Sequence, residues 1–163
     1  EYAPYYDTYV SLIANDDVMA DLNAQAESLR TAVAGLPEER GSYAYAEGKW
    51  TIKELLSHMI DGERIFAYRI LRISRGDKTP IEGFEQDDYI ATSRANERTF
   101  ANLLGEFEHE RKANLILVSN IDEETAKLTG TASGKPVSVR ALTYIMAGHV
   151  KHHMKILAER YLG

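Results

Sequence analysis

Apolar residues recur at helical spacing in four separate stretches of this chain, and its four prolines, at 4, 37, 80 and 136, fall where such a stretch would start or stop. Proline fixes φ and lacks an N–H, so it breaks helix interiors; here it leaves room for four long helices. In the first stretch, Val18, Leu22, Leu29, Val33 and Leu36 form one stripe, which Gly35 and Pro37 end. The second opens at Thr51, with Glu54 three residues on as a capping box, and ends near Gly76. Its inner face carries Ile52, Leu55, His58, Met59, Gly62, Ile65, Phe66, Arg69, Ile70 and Ile73. Residues 76–87 are rich in turn formers and long enough to cross the end of a bundle.

The third stretch has Phe100, Leu103, Leu104, Phe107, Leu115, Val118 and Ile121 on its seam, with the charged Arg111 among them. Residues 129–136 read as a second loop, and a fourth helix follows from Val137 or Ser138 to Tyr161. No strand is predicted. The expectation is an all-α chain, residues 1–163 forming one four-helix-bundle domain. Its core should run through Leu22, Leu29, Leu55, Phe66, Phe107, Val118, Leu142 and Ile156.

Composition narrows the function. The net charge is −6, which argues against nucleic acid as a partner, since such proteins usually carry a basic surplus. No apolar run approaches the roughly 20 residues of a membrane span. The first residues do not resemble a secretory signal, so a cytoplasmic location is expected. Cysteine is absent. Disulfides, a cysteine nucleophile and thiolate metal sites are thereby excluded, and a metal would need histidine or carboxylate ligands.

Histidine supplies the strongest chemical signal. On the fourth helix His149 and His153 lie one turn apart in the middle of an apolar stripe with Leu142, Ile145, Met146 and Ile156. That spacing sets two imidazoles about 6 Å apart on one face, so both can reach one ion. His58 lies on the inner face of the second helix. A lone inward histidine is ordinarily a satisfied core residue, whereas three facing one core indicate a divalent metal, which imidazole suits well. Gly62, one turn after His58, leaves space beside the ion or permits close packing. The His149-Val-Lys-His-His153 run lacks the glutamate of a zincin motif. His152 sits on the flank, expected to support a ligand or face solvent, and His109 is expected to be solvated. Arg111 is either a group for a ligand or substrate anion or a long stem covering the rim.

The segments Gly48–His58, Glu63–Arg69 and Ala147–His153, with Gly76-Asp77, the Pro80 loop and Arg111, resemble the DinB/YfiT-like superfamily in its DinB_2 branch. The resemblance implies an up-down-down-up bundle with a long crossover between helices two and three, a metal triad on His58, His149 and His153, and a possible homodimer. It also implies a metal-dependent enzyme, with zinc or nickel, that transfers a low-molecular-weight thiol to a small electrophile. Arg69 and Arg111 are the inward-leaning cations that would recognise such an anionic thiol locally. Two alternatives stand beside it. One is a metal-dependent hydrolase, with a carboxylate or His152 as base; the other is a non-catalytic metal-binding or stress-response module. No catalytic residue follows from the sequence.

Overall fold

Each long helix begins where a short polar side chain closes its first turn. Asp17 accepts from the Ala20 amide, Thr51 from Glu54, Thr99 from Asn102 and Ser138 from Ala141, each satisfying an amide that has no helical partner. At Thr51 the Glu54 side chain also returns to the cap amide, completing the capping box. The computed structural model describes residues 1–13 and 17–163. Its elements are α1 (Asp7–Val10), α2 (Val18–Val33), α3 (Ile52–Ser74), α4 (Gln86–Thr92), α5 (Phe100–Ser119), α6 (Glu123–Ala126), β1 (Thr129–Ala132), β2 (Lys135–Ser138) and α7 (Val139–Ile156), followed by a π-helical turn over Leu157–Leu162.

The four long helices, α2, α3, α5 and α7, form the bundle. α3 packs on both α5 and α7, and α2 packs on the same two. Thr51 meets Asn96 just before α5, while Glu63 meets Asn114 farther along it, so α3 and α5 run the same way. His58 meets His153 and Phe66 meets His149, so α7 runs against α3. The course is up-down-down-up, and the segment between α3 and α5 is the crossover it requires.

The helical bundle stands as expected, and only the expectation of no strand needs correction. Residues 129–138 form a two-stranded antiparallel hairpin, with Thr129 opposite Ser138 and Ala132 opposite Lys135. Ser133 and Gly134 both take positive φ, 51° and 72°, the geometry of a tight hairpin turn. The crossover docks on this hairpin: the Ile81 amide donates to Thr131 O and the Ser133 amide to Ile81 O, each at 2.9 Å. The later part of the crossover holds the short α4, which is too brief for periodicity to reveal. Of the eight expected core residues, Val118 and Ile156 are only half-buried. Ile156 borders a cavity, and Leu157 takes the fully buried place beyond it.

One polar network lies inside the bundle. The Arg111 Nε and Nη2 donate to the two Glu63 oxygens at 2.9 and 2.6 Å, and both side chains are 1% exposed. The Arg111 Nη1 donates to Leu22 O and Gln25 Oε1, and Asn114 Nδ2 donates to Glu63. The Gln25 amide then donates to Ala147 O on α7. Removing one partner of such a pair strands a buried charge. Glu63→Ala is therefore expected to cost about 3–5 kcal/mol, read from urea unfolding followed by helical circular dichroism, with Glu63→Gln costing less.

Candidate metal centre

The inner face of α3 carries His58, Gly62 and Phe66 on successive turns, and α7 brings His149 and His153 against them. The three imidazole rings lie 4.8, 4.7 and 4.6 Å apart between centroids. All three residues are buried, and one ring nitrogen from each lies within 4.8 Å of the others. The sequence brought exactly these side chains to one face of each helix; the fold brings the faces together. Gly62 has a definite part in this. A Cβ there would stand 2.6 Å from His149 Cε1 and 2.8 Å from Nδ1, so the space left by the missing side chain is filled by the His149 ring itself.

Burial keeps the cluster uncharged. Desolvation lowers His58 to about 4, against a weaker opposing pull from Asp87, and lowers His153 to about 2 with help from His58 and His152. His149 is driven well below the usual histidine range, first by desolvation and then by its histidine neighbours and Arg111. Aromatic rings form the dry wall: Trp50 lies 4.7 Å from His58, and Phe66 and Tyr9 lie 5.4 and 5.5 Å from His149.

Three neutral imidazoles cannot satisfy one another here. His149 Nε2 and His58 Nε2 approach to 2.9 Å, where one N–H can serve the pair. Both ring nitrogens of His153 are buried without a hydrogen-bond partner. Leaving such groups unpaired is unfavourable, and a cation that accepts one lone pair from each ring removes part of the deficit. The donor set fits a divalent metal ion, for which imidazole is a good ligand.

Two cavities reach the cluster. One, of about 480 Å³, is bordered by His58, His149, Phe66, Tyr9 and Arg69. The other, of about 290 Å³, is bordered by His153, Trp50, Ile156 and Tyr161. Gln86 and Asp87 line both. The Asp87 carboxylate accepts from Trp50 Nε1 at 3.1 Å, an arrangement that nothing in the sequence spacing signals. Nor did the apolar periodicity include the N-terminal aromatics Tyr5, Tyr6 and Tyr9, which border the larger cavity. The Tyr9 carbonyl lies so near Gly148 that a Cβ there would stand 2.1 Å from it.

The remaining expected residues divide. His152 is half-buried, its ring 5.0 Å from that of His153 and 5.5 Å from Tyr9. Its position flanks the cluster. His109 is exposed, its Nδ1 2.6 Å from Gly105 O. Arg111 is committed to Glu63 and borders neither cavity, so its reading as a substrate-anion group gives way to a structural one. Arg69 does border the larger cavity.

Comparison with known proteins agrees with this picture. The family model described as the DinB superfamily matches residues 21–157. A protein of Geobacillus thermodenitrificans (strain NG80-2), described as a "Putative metal-dependent hydrolase", is 29% identical over 140 residues, covering 83% of this chain and 77% of its own length. One from Geobacillus kaustophilus (strain HTA426) with the same description is 29% identical over 145 residues, covering 86% and 80%. Among solved structures, YfiT from Bacillus subtilis, described as a probable metal-dependent hydrolase with an unusual four-helix bundle topology, superimposes with a TM-score of 0.80. That likeness spans 88% of this chain and 83% of the other at 14% identity, which speaks for the fold.

The depressed histidines make the stability of the metal-free protein pH-dependent. In the unfolded chain they take up protons below about pH 6.5, while the folded cluster resists until His58 titrates at about 4. Their contribution is thus present above the unfolded value and is lost as the pH falls toward the folded one. The urea midpoint of metal-free protein is expected to drop across that window, and to drop less in His58→Leu.

Proposed function

Because the chain belongs to the DinB superfamily, we propose that it is a metal-dependent enzyme acting on a small molecule, with His58, His149 and His153 as ligands of one divalent ion and hydrolysis as its reaction. The observation that carries this reading is the buried His153 ring, whose nitrogens have no protein partner in a cluster that burial keeps neutral. Among the described residues no fourth histidine, aspartate or glutamate joins the group, which favours an open coordination position over a sealed structural site. An ion held by three neutral imidazoles with a free position supplies Lewis acidity and lowers the pKa of what it binds.

The chain's own residues supply the rest. Trp50 holds the Asp87 carboxylate at the border of both cavities, where it accepts the proton of the attacking water as general base. Phe66 and Tyr9 exclude bulk water from the His149 side. No protein nucleophile is required. The descriptions carried by the Geobacillus relatives support hydrolysis as the reaction class.

Thiol transfer is a second reading, favoured by two cavities that reach the cluster from different sides, one at His58 and His149 and the other at His153. A low-molecular-weight thiol and an electrophile would then approach from different sides.

Native protein is expected to hold about one metal ion per chain by elemental analysis, as one three-histidine site requires. His58→Ala, His149→Ala and His153→Ala should each lose it, while His109→Ala retains it; full occupancy in His149→Ala would refute the ligand assignment. Asp87→Asn should keep the metal and lower ester hydrolysis about a hundredfold. If nitrophenyl esters are inert while conjugation of glutathione or bacillithiol to monobromobimane depends on metal, thiol transfer replaces hydrolysis.

A further inference from the structure

We propose that Arg69 anchors the carboxylate of an elongated, monoanionic small-molecule substrate in the larger cavity, with the reacting end of that molecule at the three histidines. The position of the reacting end rests on the proposed function; the anchor does not.

Arg69 is 3% exposed. Its Nη2 donates to Ser133 Oγ at 2.9 Å and to Glu82 O at 3.5 Å, and its Nη1 to Tyr6 OH at 3.4 Å. Every one of these acceptors is neutral, and its Nε is buried without any partner. The other arginines of α3 are placed differently: Arg64 pairs with Glu106 and Glu110, and Arg72 with Asp77. The buried Arg111 pairs with Glu63. Among the described residues, Arg69 makes no ion pair. A desolvated guanidinium without a counter-charge is unfavourable, and it borders the cavity that reaches His58 and His149. A planar guanidinium with its Nε unused and its other donors on neutral acceptors suits an incoming carboxylate.

The surroundings define the rest of the ligand. Lys135 stands exposed at the same cavity, without an ion pair among the described residues, and Glu85 and Asp87 also border it. Two carboxylates at the border oppose a dianion such as a phosphate monoester more strongly than a monoanion. His58, Gly62, Phe66 and Arg69 share one face of α3, and from the first to the last the backbone rises about 16 Å. The arginine side chain leans back toward the helix N-terminus, which shortens that span. Phe66, Tyr9 and Phe84 also line the cavity, a wall for an aromatic or acyl middle. The substrate class is therefore an aryl or acyl carboxylate whose scissile or electrophilic bond lies at the far end from the acid.

Isothermal titration of metal-free protein with ω-phenylalkanoates of increasing chain length, and with the corresponding neutral amides, tests the anchor apart from any metal. At least one acid is expected to bind about tenfold or more tighter than its amide, the ratio set by one charged hydrogen-bond pair. Arg69→Gln should abolish that preference while amide binding persists, and Arg69→Lys should restore part of it. Acid and amide binding alike to the wild-type protein would overturn the proposal even if Arg69→Gln failed to fold. So would an acid preference that survives Arg69→Gln, because Arg69 would then serve only to pin the crossover and hairpin to α3. Metal content and esterase activity are read separately, so loss of the metal reading leaves this outcome unchanged.

Discussion

The ion pair between Glu63 and Arg111 is the constraint on which the arrangement of the bundle depends. A charge pair 1% exposed on both sides must have its remaining donors and acceptors satisfied to be tolerated, and the partners come from every long helix. Leu22 O and Gln25 belong to α2, Glu63 to α3, Arg111 and Asn114 to α5, and Ala147 O to α7. Apolar packing would allow these helices to slide by fractions of a turn at modest cost; directed hydrogen bonds to named atoms do not. Glu63 follows Gly62, and Ala147 lies two residues before His149. The network therefore sets the depth at which the Gly62 notch of α3 receives the His149 ring.

That depth explains the state of the histidines. The helices meet closely enough that two ring nitrogens approach to 2.9 Å, and aromatic rings pack against them. Desolvation is accordingly the largest cause of all three depressed values. A carboxylate among the ligands would have stabilised protonated imidazole and drawn protons into the cluster. Among the described residues no carboxylate joins the rings' nitrogens, and Trp50 holds Asp87 at the cavity border. Neutral rings are the form in which imidazole donates to a metal.

Much of this was legible beforehand because it depends on periodicity. The Thr51–Glu54 capping box, the stripe from Ile52 to Ile73 and the inward placement of His58, His149 and His153 all follow from counting along one helix. What was not legible depends on contacts between distant segments. The 129–138 hairpin is too short for an alternating signal, and its Ser133-Gly134 turn resembles any flexible loop until the crossover docks on it. Arg111 was visible as a charge on a seam, but only the fold supplies Glu63 as its partner. Asp87 and the N-terminal tyrosines reach the site through loops and short helices, whose course no period describes. The family resemblance added the direction of the helices, which periodicity cannot contain.

The same contrast separates the two buried arginines, which sequence reasoning treated alike. Both stand on inner helix faces, and both are almost wholly removed from water. Arg111 has a carboxylate, a side-chain amide and a carbonyl arranged around it, so its charge is accounted for within the protein, and it borders neither of the two cavities at the histidines. Arg69 has a serine hydroxyl, a tyrosine hydroxyl and a carbonyl, and keeps one donor unused. In a chain of net charge −6 an acid to neutralise it is not scarce; Glu82 lends it only a backbone carbonyl. The crossover that brings Glu82 and Phe84 past Arg69, and the hairpin turn that brings Ser133, thus surround a cation with dipoles and leave the counter-charge to be supplied from the cavity. The long connection demanded by an up-down-down-up course is in this way also what builds the far end of the site.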